Sequence, residues 1–134
     1  MAEENIVKNE EVVKPIILKD KDTGEPKYVL EFDRATVKAA ERAGFKIDTV
    51  VDMSENDDSG LKMAIEPLED LFFHSFKKHQ PFMNKNATNK ILYEDLCGMS
   101  TAMIARLVQL YMQPFETLIQ TDDTPKNATL AIEL

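Results

Sequence analysis

The chain has 134 residues, 16 Lys plus Arg against 24 Asp plus Glu, a formal charge of −8, one Cys and an apolar fraction of 43%. That length suits a single domain with one modest core, a lone Cys excludes an internal disulfide framework or a Cys-rich zinc module, and no apolar run approaches the ~18–20 residues of a membrane span. The acidic balance opposes bulk nucleic-acid binding, which needs basic surface to displace counterions from phosphates, and the charged start MAEENIVKNEEVVK lacks the order of a signal peptide, so the expectation is an acidic cytoplasmic domain.

Residues 1–14 mix Glu with Lys and are read as a flexible arm. Two strand-like runs follow, 15–19 and 27–32, joined by a polar stretch in which Gly24 supplies a positive φ and Asp22 a local backbone bond. Tyr28, Leu30 and Phe32 alternate with Lys27, Val29 and Glu31, the period-2 pattern of a half-buried hairpin strand. The next segment carries the signals of a short helix over 34–43. Asp33 is its N-cap, Gly44 its left-handed C′ residue, and Phe45 folds back on Ala40.

Residues 47–61 hold Asp48, Asp52, Glu55, Asp57 and Asp58 with no base, and are read mostly as a solvated loop. A second helix runs to about His79, with Pro67 in its first turn. Its apolar stripe is Leu68, Leu71, Phe72, Ser75, Phe76 and His79, and Pro81 stops it. A third helix covers about 87–97, capped by Asn86 or Thr88 and ended by Gly98. Thr88, Ile91, Leu92 and Leu96 form its face. Ser100 caps a fourth helix, and Met99 staples onto Ile104. Ile104, Leu107, Val108 and Tyr111 share a face, and Pro114 kinks or ends the helix before a further turn or two. Residues 121–134 are read as a flexible tail. The fold class is therefore α+β, a hairpin packed on a mainly helical body of about four helices, with one domain over 15–120.

The chemistry reads negative. His74 and His79 are about 140° apart on a helix, unlike a metal-binding pair at i and i+4. His79 is read as packed at a helix end, His74 as a surface residue, and Cys97 as a small buried or half-buried thiol. Asp52, Ser54 and Asn56 match the start of a calcium loop, but Asp57 replaces the turn glycine and Met63 the closing Glu. No phosphate-cradling or nucleophile-elbow motif is present, so no enzyme, cofactor or metal is expected. The run from Leu92 to Leu107 has a helix-turn-helix outline. Its second helix offers only Arg106 and Gln109 toward DNA, and Glu94 and Asp95 flank the turn.

Two features point to association. Phe72, Phe73, Phe76 and Phe82 cluster, and Met83, Met99, Met103 and Met112 lie in the same half of the chain. Such residues either fill a small core or form an adaptable surface for apolar helices. Phe73, Phe76, Tyr111, Met112 and Phe115 are the candidates for a client or self-association surface. Charge is also segregated, with Asp52, Glu55, Asp57 and Asp58 in the acid-only stretch and Lys77, Lys78, Lys85 and Lys90 in the acid-free stretch 71–93. These are either two solvated faces or patches that meet across copies and build oligomers.

The order of a polar arm, then a hairpin ending in Tyr28-Val-Leu-Glu-Phe-Asp33-Arg34, then Ala40-Glu-Arg-Ala-Gly44-Phe45, resembles the tail assembly chaperones of long-tailed (siphovirus-type) bacteriophages or prophages. The Leu71-Phe-Phe-His-Ser-Phe-Lys-Lys-His79 helix and the ending Leu110-Tyr111 to Pro114 are similar too. The resemblance spans residues 15–120. It implies a non-enzymatic factor, acting in the bacterial cytoplasm, that binds and solubilises the tape measure protein and promotes assembly of tail tube protein around it. It also implies a homo-oligomer, absence from the virion, and a longer form made by translational frameshifting after about residue 120. The alternatives are a helix-turn-helix DNA-binding regulator and a structural subunit of a phage particle.

Overall fold

In a computed structural model of the chain, the structure describes residues 13–50, 65–119, 129–130 and 133. Strands β1 (Ile16–Lys19) and β2 (Pro26–Leu30) form a two-stranded antiparallel sheet. The register pairs Ile16 with Leu30 and Leu18 with Tyr28, and a bulge follows Leu18. Asp20, not Asp22, organises the turn, because its Oδ1 accepts from the N–H groups of Asp22 at 2.9 Å and Thr23 at 3.0 Å. Alternation along β2 turns Tyr28 and Leu30 inward, and Phe32 continues the same face into the core.

Helix α1 (Arg34–Arg42) begins with a reciprocal capping box. Asp33 Oδ1 accepts from the Thr36 N–H at 2.9 Å, and Thr36 Oγ1 accepts from the Asp33 N–H at 2.8 Å. The helix ends as its sequence expects. Phe45 donates from its N–H to Ala40 O, and Gly44, at φ 99°, donates to Glu41 O, both at 3.0 Å. This pair of bonds satisfies carbonyls that a helix end leaves open, and it returns Phe45 to the core beside Ala40. Residues 47–50 are helical rather than looped. Asp52, Glu55, Asp57 and Asp58, like the proposed calcium-type spacing, lie outside the described residues.

Helix α2 (Ile65–Ser75) buries Leu71, Phe72, His74 and Ser75. It ends four residues earlier than the periodicity predicts. Phe76 donates to Phe73 O and Lys77 to His74 O, so the last turn tightens to i→i−3 bonds and the stripe no longer reaches residue 79. The two histidines exchange expected places, with His74 buried in the fold and His79 exposed. Helix α3 (Lys85–Lys90) is capped by Asn84, whose Oδ1 accepts from the Ala87 N–H at 2.8 Å, so the cap is two residues earlier than Asn86. It continues as a π-wound turn over Ile91–Asp95, in which Leu96 donates to Ile91 O. Cys97 then adopts φ 57° outside any helix and is exposed, against the expected buried thiol. Helix α4 (Thr101–Leu118) is capped by Ser100 and continues past Pro114 for about one more turn.

The core lies where the hairpin, α1, α2 and α4 meet. Tyr111 is its centre, edge-on to Phe32 at 5.0 Å and to Phe45 at 5.3 Å. Phe76 joins Tyr28 and Phe72 at 5.5 and 5.0 Å. Val13 packs on this core and donates from its N–H to Gln113 Oε1 at 3.2 Å, and Arg106 Nη1 donates to Lys14 O at 3.3 Å. These two residues of the expected arm are thus laid along α4. Among the described residues no helix is long and apolar enough to cross a membrane.

Candidate interaction surfaces

The apolar candidates divide by burial. Phe76 and Tyr111 are both 0% exposed. They hold the fold together and present no surface to a client, contrary to what the sequence leads one to expect of them. The Tyr111 hydroxyl is buried without a hydrogen-bond partner, and burial, then the charge of Glu41, pushes its pKa up to about 12. Phe73 is half-buried. Its ring lies tilted against that of His74 at 4.9 Å and carries the Lys77 ammonium 4.9 Å from its centroid. Met112 and Phe115 are half-buried on the core-facing side of α4, and beyond them Leu118 and Ile119 stand out, 68% and 65% exposed. The distal end of α4 is therefore an apolar strip that begins in the core and ends in solvent.

The basic candidates of residues 71–93 do not form an unengaged patch. Lys78 pairs with Glu31 at 3.3 Å, and Lys85 pairs with Asp70 and more distantly with Glu66 at 3.7 Å. Lys77 reaches the carbonyls of Pro81 and Met83, both at 3.4 Å. Lys90 alone of the four is an exposed residue with none of these contacts among the described residues. Charge that is segregated along the sequence is mixed in space, because Glu31 of the hairpin and Asp70 of α2 fold onto the bases. His79 joins the first of these groups, with Nε2 2.7 Å from Glu31 Oε1. Burial alone would raise the Glu31 pKa, but bonds from His79 and Lys78 outweigh it and hold the carboxylate below its ordinary value. His74 shifts for a different reason. Burial lowers its pKa, and the nearby Lys77 and Lys85 reinforce that against Asp70.

A surface absent from the sequence reading lies at the start of α2 and α4. Ile65, Leu68, Leu92, Tyr93, Met99 and Ile104 line a shallow groove of about 160 Å³. Met99 and Ile104, the expected staple pair, both line it. Ile65 and Tyr93 rise from its walls, 61% and 52% exposed. One acid lines it, Glu69, which accepts from the Tyr93 hydroxyl. The one available sequence signal was that Tyr93 falls off the apolar stripe of its helix, whereas Ile65 lies on that of α2, three residues before Leu68. Phe82, 79% exposed in the turn after α2, is a further apolar residue left in solvent.

The helix-turn-helix outline corresponds to the π-wound turn, Cys97-Gly98 and α4. The base that its second helix offers, Arg106, is already bonded to Lys14 O. Among the described residues no group of three or more His, Cys, Asp or Glu is placed to hold a metal ion. Residues 8–134 match the model of a family described as a domain of unknown function, DUF5055. No curated protein and no solved structure matches the chain.

Proposed function

We propose that this chain, which belongs to the DUF5055 family over residues 8–134, is a non-enzymatic tail assembly chaperone of a siphovirus-type phage or prophage. Its client is the tape measure protein, which it keeps soluble while tail tube protein assembles. The observation that carries this reading is the distal end of α4, where Met112, Phe115, Leu118 and Ile119 form a strip that a closed core leaves partly uncovered. A small domain gains nothing in stability from holding Leu118 and Ile119 in water. Each of them contributes about 1.5–3 kcal/mol once buried against an apolar helix, and Met adapts to clients of varied shape. The resemblance in the order of elements from the hairpin to Pro114 supports the same reading. Phe73 is left as a minor contributor, since Lys77 already covers one face of its ring.

The test is co-expression with a candidate tape measure protein. The client is expected in the soluble fraction with the native chain and in inclusion bodies with Leu118→Ser/Ile119→Ser, a pair that touches no core position. A client that stays insoluble with the native chain, or stays soluble with the double variant, overturns the reading.

A further inference from the structure

We propose that the open edge of β1 takes up an extended, acid-bearing segment of another protein as a third strand, with one of its apolar side chains entering a lysine-rimmed cleft beneath the hairpin. The inference rests on the hairpin and its flank, and it stands apart from the client reading of α4.

The open edge follows from the ladder. Directly opposed residues of an antiparallel pair alternate between those that exchange both backbone bonds and those that exchange none. Val29 spends its N–H and its carbonyl on the Gln80 side chain, so it exchanges none with Ile17, the residue opposite it. The N–H and C=O of Ile17 therefore point away from β2, and no described residue bonds to either. Ile17 is 47% exposed and Lys19 is exposed. The chain closes one edge of its sheet with Gln80 and leaves the other available for pairing.

The cleft, of about 240 Å³, lies on the inner face of the same hairpin. Its apolar lining is Leu18 and Tyr28 from the strands, with Ile91 and Leu96 from the π-wound turn and its end. Lys19, Lys21 and Lys27 complete the hairpin wall, and none forms an ion pair with another described residue. Two acids line it as well. Asp20 is engaged by its turn, accepting from the Asp22 and Thr23 N–H groups, with Lys27 close enough to favour its charged form. Asp95 stands on the helical wall. The hairpin side of the cleft is therefore basic, and Lys19 and Lys21 are its least engaged charges.

Edge and cleft share β1, and strand alternation joins them. In a strand laid beside β1, the residue opposite Ile17 turns its side chain to the outer face. Its neighbour opposite Leu18 turns inward, toward the apolar surface of Leu18, Ile91 and Leu96, and the next turns outward again beside Lys19. Main-chain bonds supply affinity and the alternate side chains supply choice. The occupant is thus an extended segment with an apolar residue next to acids. A basic segment is repelled by Lys19 and Lys21, and a helix, whose backbone bonds are internal, has nothing to offer Ile17. The paired surface is short, so binding is weak and falls as salt rises.

The probe is a capped peptide of about eight residues, within the ordinary length of a strand, that alternates valine with glutamate. Titrated into the full chain and followed by amide NMR, it is expected to shift the Ile17 and Lys19 amides and to slow hydrogen exchange at Ile17. Lys19→Glu/Lys21→Glu should weaken binding about tenfold or more, because two attractions become repulsions. Ile17→Pro deletes the outward donor and no bond to β2, a position where a strand tolerates proline, and should abolish binding. Should that variant lose its circular dichroism, N-methylated peptides make the same test on the native chain. Only alternate amides of a strand face its neighbour, so methylating either the valine or the glutamate nitrogens should abolish binding in one set and spare it in the other. A native chain that fails to bind the peptide overturns the proposal. So does equal binding of a valine–lysine peptide, of both methylated peptides, or of the folded Ile17→Pro and double-lysine variants. An Ile17 amide already protected before peptide is added also overturns it, by assigning the edge to the chain itself or to a second copy.

Discussion

The side-chain amide of Gln80 takes the place of a third strand for Val29. Its Oε1 accepts from the Val29 N–H at 2.9 Å, and its Nε2 donates to the Val29 carbonyl at 3.0 Å. The same Nε2 also donates to Phe76 O at 3.1 Å, and the residue is only 9% exposed. The outward edge of β2 is thereby closed by a residue in the turn after α2, and the hairpin is tied to the helical body. Glu31 extends the seam one step further by donating from its N–H to Ser75 O at 2.9 Å.

Gln80→Glu isolates the donor half of this arrangement. A carboxylate keeps the bond from the Val29 N–H but faces two carbonyls with nothing to donate. Leaving buried acceptors unpaired costs about 1–3 kcal/mol, and more beside a charge, which for a domain of this size lowers Tm by roughly 3–10 °C. A protonated Glu can donate again, and burial beside two carbonyls favours that form, so the difference from the native chain should shrink as pH falls toward the ordinary carboxylate range. Thermal melts of both proteins across pH check this. A difference that is absent, or constant with pH, contradicts the assignment.

Acid stability should carry the mark of Glu31. His79 and Lys78 hold its carboxylate below the ordinary value, so the unfolded chain takes up a proton at a higher pH than the folded one. The stabilisation is complete above the ordinary Glu value of 4.5 and is lost as pH falls through the lowered folded value. Glu31→Gln removes that slope. Denaturant titrations between neutral and acid pH should show the native chain and the variant converging at the acid end. Parallel curves would mean that the pair contributes nothing.

His74 gives a second slope at higher pH, with the sign of a buried neutral imidazole. Its folded pKa lies below the unfolded 6.5, chiefly through burial. Between those two values the unfolded chain binds more protons, so stability rises with pH, levels off above 6.5, and is lost as pH falls toward the folded value. His74→Gln should flatten this limb while leaving the acid limb of Glu31 in place. Denaturant midpoints at closely spaced pH values distinguish the two. A native chain with no change in stability below pH 6.5 contradicts the assignment.

How much of this was legible follows from where the signals act. Helix α1 was readable end to end because each determinant is local: Asp33 and Thr36 cap one another, and Gly44 closes the other end at a φ that other residues seldom adopt. The stripe of α2 was readable for the same reason, as far as the helix lasts. Extending it to His79 failed because the last turn tightens and rotates later residues away from the 100° step, while His74, off the stripe, is buried beside Phe45. At Pro114 the alternatives of an end or of a further turn resolve to the further turn, since α4 continues to Leu118. The missing N–H removes one bond inside α4, yet Leu110 and Tyr111 before it are core residues and Phe115 after it packs on the core, so tertiary contacts carry the helix through. Periodicity already placed Phe76 and Tyr111 on buried stripes, and the structure keeps them there. The Gln80–Val29 bonds and the groove join residues far apart in sequence, and no local pattern announces such a coincidence.

Tyr111 separates a core role from a surface role most sharply. Its ring is held edge-on by Phe32 and Phe45 and more loosely by Phe115 at 6.0 Å, yet its hydroxyl has no partner and no exposure. Tyr111→Phe keeps every ring contact and deletes only the unpaired oxygen. Burying a hydroxyl without a bond costs about 1–3 kcal/mol, so the variant is expected to be at least as stable as the native chain, with Tm higher by up to several degrees. Tyr111→Ala empties the centre of the core instead and should cost roughly 3–5 kcal/mol. Calorimetry on both variants, alongside the client solubility assay, separates the two roles. A core residue predicts that Tyr111→Phe raises Tm and leaves client solubility untouched. A lower Tm would mean that the hydroxyl is bonded in solution, and lost solubility at an unchanged Tm would return Tyr111 to the client surface.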